Sequence, residues 1–159
     1  MEGHWTVSDD AGHVRLRSGR IGLMTVDVRA PVISGSLTVD RSGIEFDLEL
    51  ALDRLTTGNP LMQAAARALV TNNDARRLTY AATGLTVSPW QVTGTAQAGT
   101  ISLALGLLIR PDGPASEVTT LAINGTANVG TVHLPLPGLG TVRDFAFDVE
   151  GSLTVVSSS

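Results

Sequence analysis

Ile44-Glu45-Phe46-Asp47-Leu48-Glu49-Leu50-Ala51-Leu52-Asp53 is the stretch on which the fold turns. Ile44, Phe46, Leu48, Leu50 and Leu52 share one phase; Glu45, Asp47, Glu49 and Asp53 share the other. Successive side chains of a strand point to opposite faces, so this alternation predicts a strand over 44–53 with one buried and one wet face. Antiparallel sheets are built from such strands.

Working outward, the same period recurs. Phe145, Phe147 and Val149 oppose Asp144, Asp148 and Glu150, and after Gly151 the phase continues through Leu153 and Val155. Ile101, Leu103, Leu105, Leu107 and Ile109 are in phase, with Arg110-Pro111-Asp112-Gly113-Pro114 as the closing turn. Between Thr25 and Asp40 the phase slips by one beside Pro31, from Val26, Val28, Ala30 and Val32 to Ile33, Leu37 and Val39. Such a slip marks a bulge that bends a sheet. Asp40-Arg41-Ser42-Gly43 is a hairpin turn. Further strands are predicted at Thr6–Ser8, His13–Arg17, Leu78–Val87, Val92–Ala98 and Val118–Val129.

One segment has another period. Asn59-Pro60 reads as an N-cap followed by proline at the first helical position. Leu61, Ala65 and Leu69, with Met62, Ala66 and Val70, form an apolar stripe, with Gln63 and Arg67 off it and Asn72-Asn73 as the stop. The chain therefore reads as one mainly β domain over residues 1–159: an antiparallel barrel of about eight strands with one short helix, a flat sandwich being the alternative.

Composition narrows the chemistry. Formal charge is −4, which gives nucleic acid and anionic membrane surfaces little to hold. There are no cysteines, hence no disulfides, thiolate sites or cysteine nucleophiles. Hydrophobic residues make up 43% but aromatic ones only 4%, so small and branched aliphatics leave either a thin core or an unfilled cavity. No run of apolar residues is long enough to span a membrane, and Met1-Glu2-Gly3-His4-Trp5 lacks a signal-peptide pattern. The expected location is cytoplasmic, unless the chain is a trimmed secreted form. His4, His13 and His133 lack metal-ligand spacing, and no metal or cofactor is expected. Glu45, Asp47 and Glu49 share a solvent face rather than forming a catalytic pair.

The order of short motifs resembles the YceI-like family of lipocalin-like barrels. Trp5-Thr6-Val7 opens the chain, and Gly35-Ser36-Leu37-Thr38-Val39-Asp40 leads into a hairpin. Leu55-Thr56-Thr57-Gly58-Asn59 precedes the helix; Val92-Thr93-Gly94 and the closing strand Phe145–Val156 follow. The chain departs from that family over Pro60–Ala68, Val70-Thr71-Asn72 and His133–Gly140, as a divergent member would. The resemblance implies a barrel whose interior holds the tail of a quinone, polyprenyl or fatty lipid, without catalysis. The lining expected on that basis is Phe46, Leu48, Leu50, Met62, Leu69, Tyr80, Leu103, Leu105, Phe145 and Phe147, with Ala30, Ala82 and Gly84 leaving space. Packing of the same aliphatics into a solid core, as a filled barrel acting through protein-protein contacts, is the competing expectation. The helix stripe covers or gates one barrel end, and the apolar loop Leu134-Pro135-Leu136-Pro137-Gly138-Leu139 forms a flap, a protein contact or end packing. Exposed strand edges or this loop would also allow a homodimer. A barrel enzyme of the isomerase or cyclase type would need an inward ionisable group, and the strand phases send the charges outward.

Overall fold

The computed structural model describes residues 2–8, 12–21, 24–72, 74–86, 89–113, 116–133 and 141–158, with backbone alone for 18–21, 24–26, 128–133 and 141–145. Its strands are β1 (Gly3–Val7), β2 (His13–Ile21), β3 (Met24–Asp40), β4 (Gly43–Ala51), β5 (Thr56–Thr57), β6 (Arg77–Leu85), β7 (Trp90–Ala98), β8 (Ile101–Asp112), β9 (Val118–His133) and β10 (Thr141–Ser157). One helix, α1 (Pro60–Asn72), follows β5.

Every ladder is antiparallel, and the sheet closes because β10 has neighbours on both edges. β9 flanks it on one side (Leu153↔Leu121); β2 (Arg15↔Glu150) and β1 (Trp5↔Ser157) flank it on the other. β1 and β2 lie between the same two strands, since β3 pairs with both (Trp5↔Leu37, Arg15↔Arg29). They are two parts of one interrupted stave. The Ser8 amide donates to the Thr154 carbonyl at 2.9 Å and the Val32 amide to the Gly12 carbonyl at 3.1 Å, holding the ladder on either side of the break. Counted by staves, the barrel has eight.

The slip expected beside Pro31 is a register shift between Val32 and Ser34, opposite Leu50 and Glu49. It lets Val28, Ala30 and Val32 and then Leu37 and Val39 all be buried on one curved strand. At Asp40, the carboxylate accepts the amides of Ser42 (2.7 Å) and Gly43 (3.1 Å), fixing the turn.

Three sequence expectations are corrected. β4 ends at Ala51, and Leu52–Arg54 form a 3₁₀ turn, because the Leu52 and Asp53 amides donate to the Arg76 carbonyl (2.9 and 3.2 Å) instead of continuing the ladder. β8 runs through Pro111 and Asp112, which pair with Leu121 and Thr120. Its β7 ladder stops at Trp90↔Ile109, and a proline's missing amide is tolerated at such an edge. On α1 the buried residues are Met62 and Ala65, while Leu61 is 52% exposed. Asn59 caps the helix as expected, its side-chain oxygen accepting the Leu61 amide at 2.8 Å. Gln63 turns inward to tie α1 down: its Nε2 donates to the Leu55 carbonyl (2.9 Å) and its Oε1 accepts the Thr57 amide (2.8 Å). The left-handed residue after the helix is Asp74, φ 52°.

Three inward glycines sit where neighbouring backbones nearly touch. A methyl at Gly84, Gly94 or Gly125 would collide with the carbonyl oxygen of Gln91, Ala81 or Gly106 respectively. Gly84 therefore serves close strand approach rather than leaving space. Outside, Arg15 grips Asp27 bidentately (Nε–Oδ1 2.9 Å, Nη2–Oδ2 2.6 Å), with Glu150 3.6 Å from Nη1.

Gly94→Ala is expected to lower stability by about 2 kcal/mol or more in urea unfolding. Gly58→Ala, with open space at the new methyl, should change it by less than about 0.5 kcal/mol. The hydrogen bonds from Arg15 hold the Asp27 carboxyl below its usual range. Its stabilisation is thus present above about pH 4 and lost as pH falls through the lowered value. Asp27→Asn should flatten the acid limb of stability against pH.

Candidate functional site

The inward side chains divide the interior into two unequal regions. At the far end, where the hairpin turns after Asp40 and Leu85 lie, Leu37, Ile44, Val92, Ile109, Leu121, Leu153 and Val155 are all at most 2% exposed. Trp5 on β1 and Trp90 at the start of β7 add the scarce ring bulk to this core. That half is filled.

The near end is where β4 passes to β6 through residues 52–76. Here an apolar void of about 50 Å³ remains, walled by side chains of β2, β4, β6, β7, β8, β9 and β10. No polar atom contributes to its surface. Leu48, Leu50, Tyr80, Leu103, Leu105 and Phe147, all expected from sequence, are on the wall. Leu16, Leu78, Leu103 and Phe147 are only half-buried, so the void communicates with the near end between them. Leu52, also half-buried, packs beside this rim.

Other expected residues sit elsewhere. Phe46 is 0% exposed and packs beneath the void in the filled region. Met62 is buried and Leu69 half-buried on α1, off the void wall. The side chain of Phe145, and the whole loop Leu134–Leu139, fall outside the described residues. Ala30 and Ala82 are buried but do not line the void; the small residue that does is Ala96. Val14, Leu16, Leu78, Leu107, Ile123 and Val149 complete the wall. Leu107 and Val149 share an apolar phase read from the sequence, but which inward residues face empty space depends on how the staves stagger.

Tyr80 is fixed at both ends. Its hydroxyl donates to the Leu105 carbonyl at 2.7 Å, and its ring meets Phe46 edge-on, centroids 6.2 Å apart at 68°. β8 passes its last pairing with β9 at Gly106↔Thr126, one residue from that carbonyl. Burial pushes the Tyr80 phenol up to about 12. The segment that joins β4 to β6 carries more arginine than carboxylate in an acidic chain: Arg54, Arg67, Arg76 and Arg77 share residues 52–77 with only Asp53 and Asp74. Arg77 pairs with Asp53 at 2.9 Å. Elsewhere, His4 Nδ1 lies 2.8 Å from the Thr38 hydroxyl on the outer face. Among the described residues no group of three His, Asp or Glu is placed to hold a metal ion, and no helix is long and apolar enough to cross a membrane.

Compared with known proteins, the chain matches no protein-family model and no curated sequence.

Tyr80 is the chain's one tyrosine, so its titration is observable alone. Phenolate absorbance of the folded protein should appear near pH 12 and shift to about 10 on unfolding. Because the folded value is the raised one, this group's stabilisation is complete below pH 10 or so and lost as pH climbs through 12.

Proposed function

We propose that the chain binds the hydrocarbon tail of an isoprenoid or fatty lipid, end first, through the near end of the barrel, and carries it without catalysis. The observation that supports this reading is the void: it is wholly apolar, bounded by seven strands, and rimmed by half-buried Leu16, Leu78, Leu103 and Phe147. Burying hydrocarbon contributes about 0.8 kcal/mol per methylene and asks for no polar chemistry. The motif order shared with YceI-like barrels points the same way.

Magnitudes locate the affinity. A void of about 50 Å³ holds roughly two water-sized groups, so two methylenes within it contribute on the order of 1.5 kcal/mol. Most of the binding energy therefore comes from covering the apolar rim, Leu16, Leu52, Leu78, Leu103 and Phe147, and from outward displacement of those side chains. The arginine excess of residues 52–77, which join β4 to β6 at this end, favours a neutral or anionic head group over a cationic one.

Organic extraction of the purified protein followed by mass spectrometry should yield a lipid near one per chain. Leu103→Glu, which places a charge on the rim, should weaken uptake of a fluorescent isoprenoid at least about tenfold. Leu85→Glu, on the β6 end away from the void and 68% exposed, should leave uptake unchanged. Empty extracts together with no isoprenoid uptake by the wild-type chain would mean the interior is simply a core.

A further inference from the structure

One side chain on the void's wall is in ring contact with the filled half. Tyr80 stands on its wall, whereas Phe46, in edge contact with the Tyr80 ring, is fully buried and contributes nothing to that wall. Beyond Phe46 the interior is occupied by Leu37, Ile44, Val92 and Ile109. The ring crosses from β6 to the β8 backbone, passing the small residues Ala96 and Gly94 of the intervening strand, which leave it room. Swinging it aside would break the 2.7 Å bond to Leu105 and leave a buried hydroxyl and carbonyl unpaired. The smaller, unanchored wall residues Leu103 and Leu78 at the rim carry no such restraint in their aliphatic side chains. Tyr80 is thus a wall residue whose displacement costs a buried hydrogen bond.

From this geometry we infer that Tyr80 determines how deep an apolar tail inserts, and so sets the length of chain the site recognises. This inference rests on the binding reading above and specifies its selectivity. The terminal methyl of the tail comes to rest against the Tyr80 ring; carbons that would pass that point have nowhere to go, and carbons beyond the rim stay in water. The ligand class is then an amphiphile recognised by the last few carbons of its chain, whatever its total length.

The test uses straight-chain fatty acids from butanoic to hexadecanoic acid, each displacing a fluorescent apolar dye from the full chain. For the wild type, affinity should rise by up to about fourfold per added methylene and then level off. Tyr80→Ala should move that break to acids longer by about two carbons, since truncated core sites collapse only partly. Tyr80→Leu, a gentler change, should give an intermediate break. Thermal melts of each variant separate loss of fold from altered depth, because a purely structural role would lower the melting temperature without moving the break. An unmoved break in either folded variant overturns the inference, as does a wild-type affinity that climbs without levelling through hexadecanoic acid. Should both variants fail to fold, Tyr80→Phe, which keeps the ring but frees it from the Leu105 carbonyl, takes their place: its break should move to longer acids, and an unmoved break there overturns the inference. If no acid displaces the dye from the wild-type chain, the binding reading itself fails, a result distinct from binding without a break.

Discussion

The pairing of β10 with strands from the opposite end of the chain is the constraint on which the rest of this structure depends. Val155 lies opposite Val7 on one edge and Thr119 on the other. Closing the sheet removes its free edges, defines an inside, and obliges every alternating strand to choose which face goes there. Glu45, Asp47 and Glu49 face water because Phe46, Leu48 and Leu50 must not. The glycines follow from the same demand: a sheet curved this tightly brings adjacent backbones together at Gly84, Gly94 and Gly125, where a side chain would hold them apart. Because the decisive contacts join residues far apart in sequence, folding has to close a long loop before closure stabilises anything.

Within that tube, aliphatic composition leads to two outcomes at once. The choice between a thin core and an unfilled cavity, left open by composition, resolves by position: the far half is filled and the near half retains a void. Trp5, Trp90 and Phe46 belong to the core cluster, and the near half is walled mainly by leucines, with Tyr80 and Phe147. The one polar atom that Tyr80 brings inside is consumed by the Leu105 carbonyl, so the wall stays purely hydrocarbon.

Legibility in the sequence tracked how local the cause was. Period-two alternation located the strands, and the one-residue slip beside Pro31 anticipated the bulge at Val32–Ser34, because both are properties of consecutive residues. Asn59 and Pro60 announced α1 for the same reason. What failed depended on partners distant in sequence. Nothing near Leu52 signals that Arg76 will capture its amide and end β4, or that Gln63 will reach the Leu55 carbonyl. The site was legible to the same extent. In-phase residues such as Leu48, Leu50, Leu103 and Leu105 were identifiable as inward, but Phe46 could not be separated from them, since depth along the barrel is set by the stagger of staves.

The division of the interior into a filled and an unfilled half has a consequence for how the barrel stands with nothing in it. A hollow protein whose cavity runs its full length leans on its cargo, and tends to soften or collapse once emptied. Here the strands already meet in a packed plug at one end, formed from β1, β3, β4, β7, β8, β9 and β10 side chains buried against one another. The integrity of the barrel is thereby independent of whether its near half is filled, so that, on the binding reading proposed above, an occupant leaves without the chain coming apart.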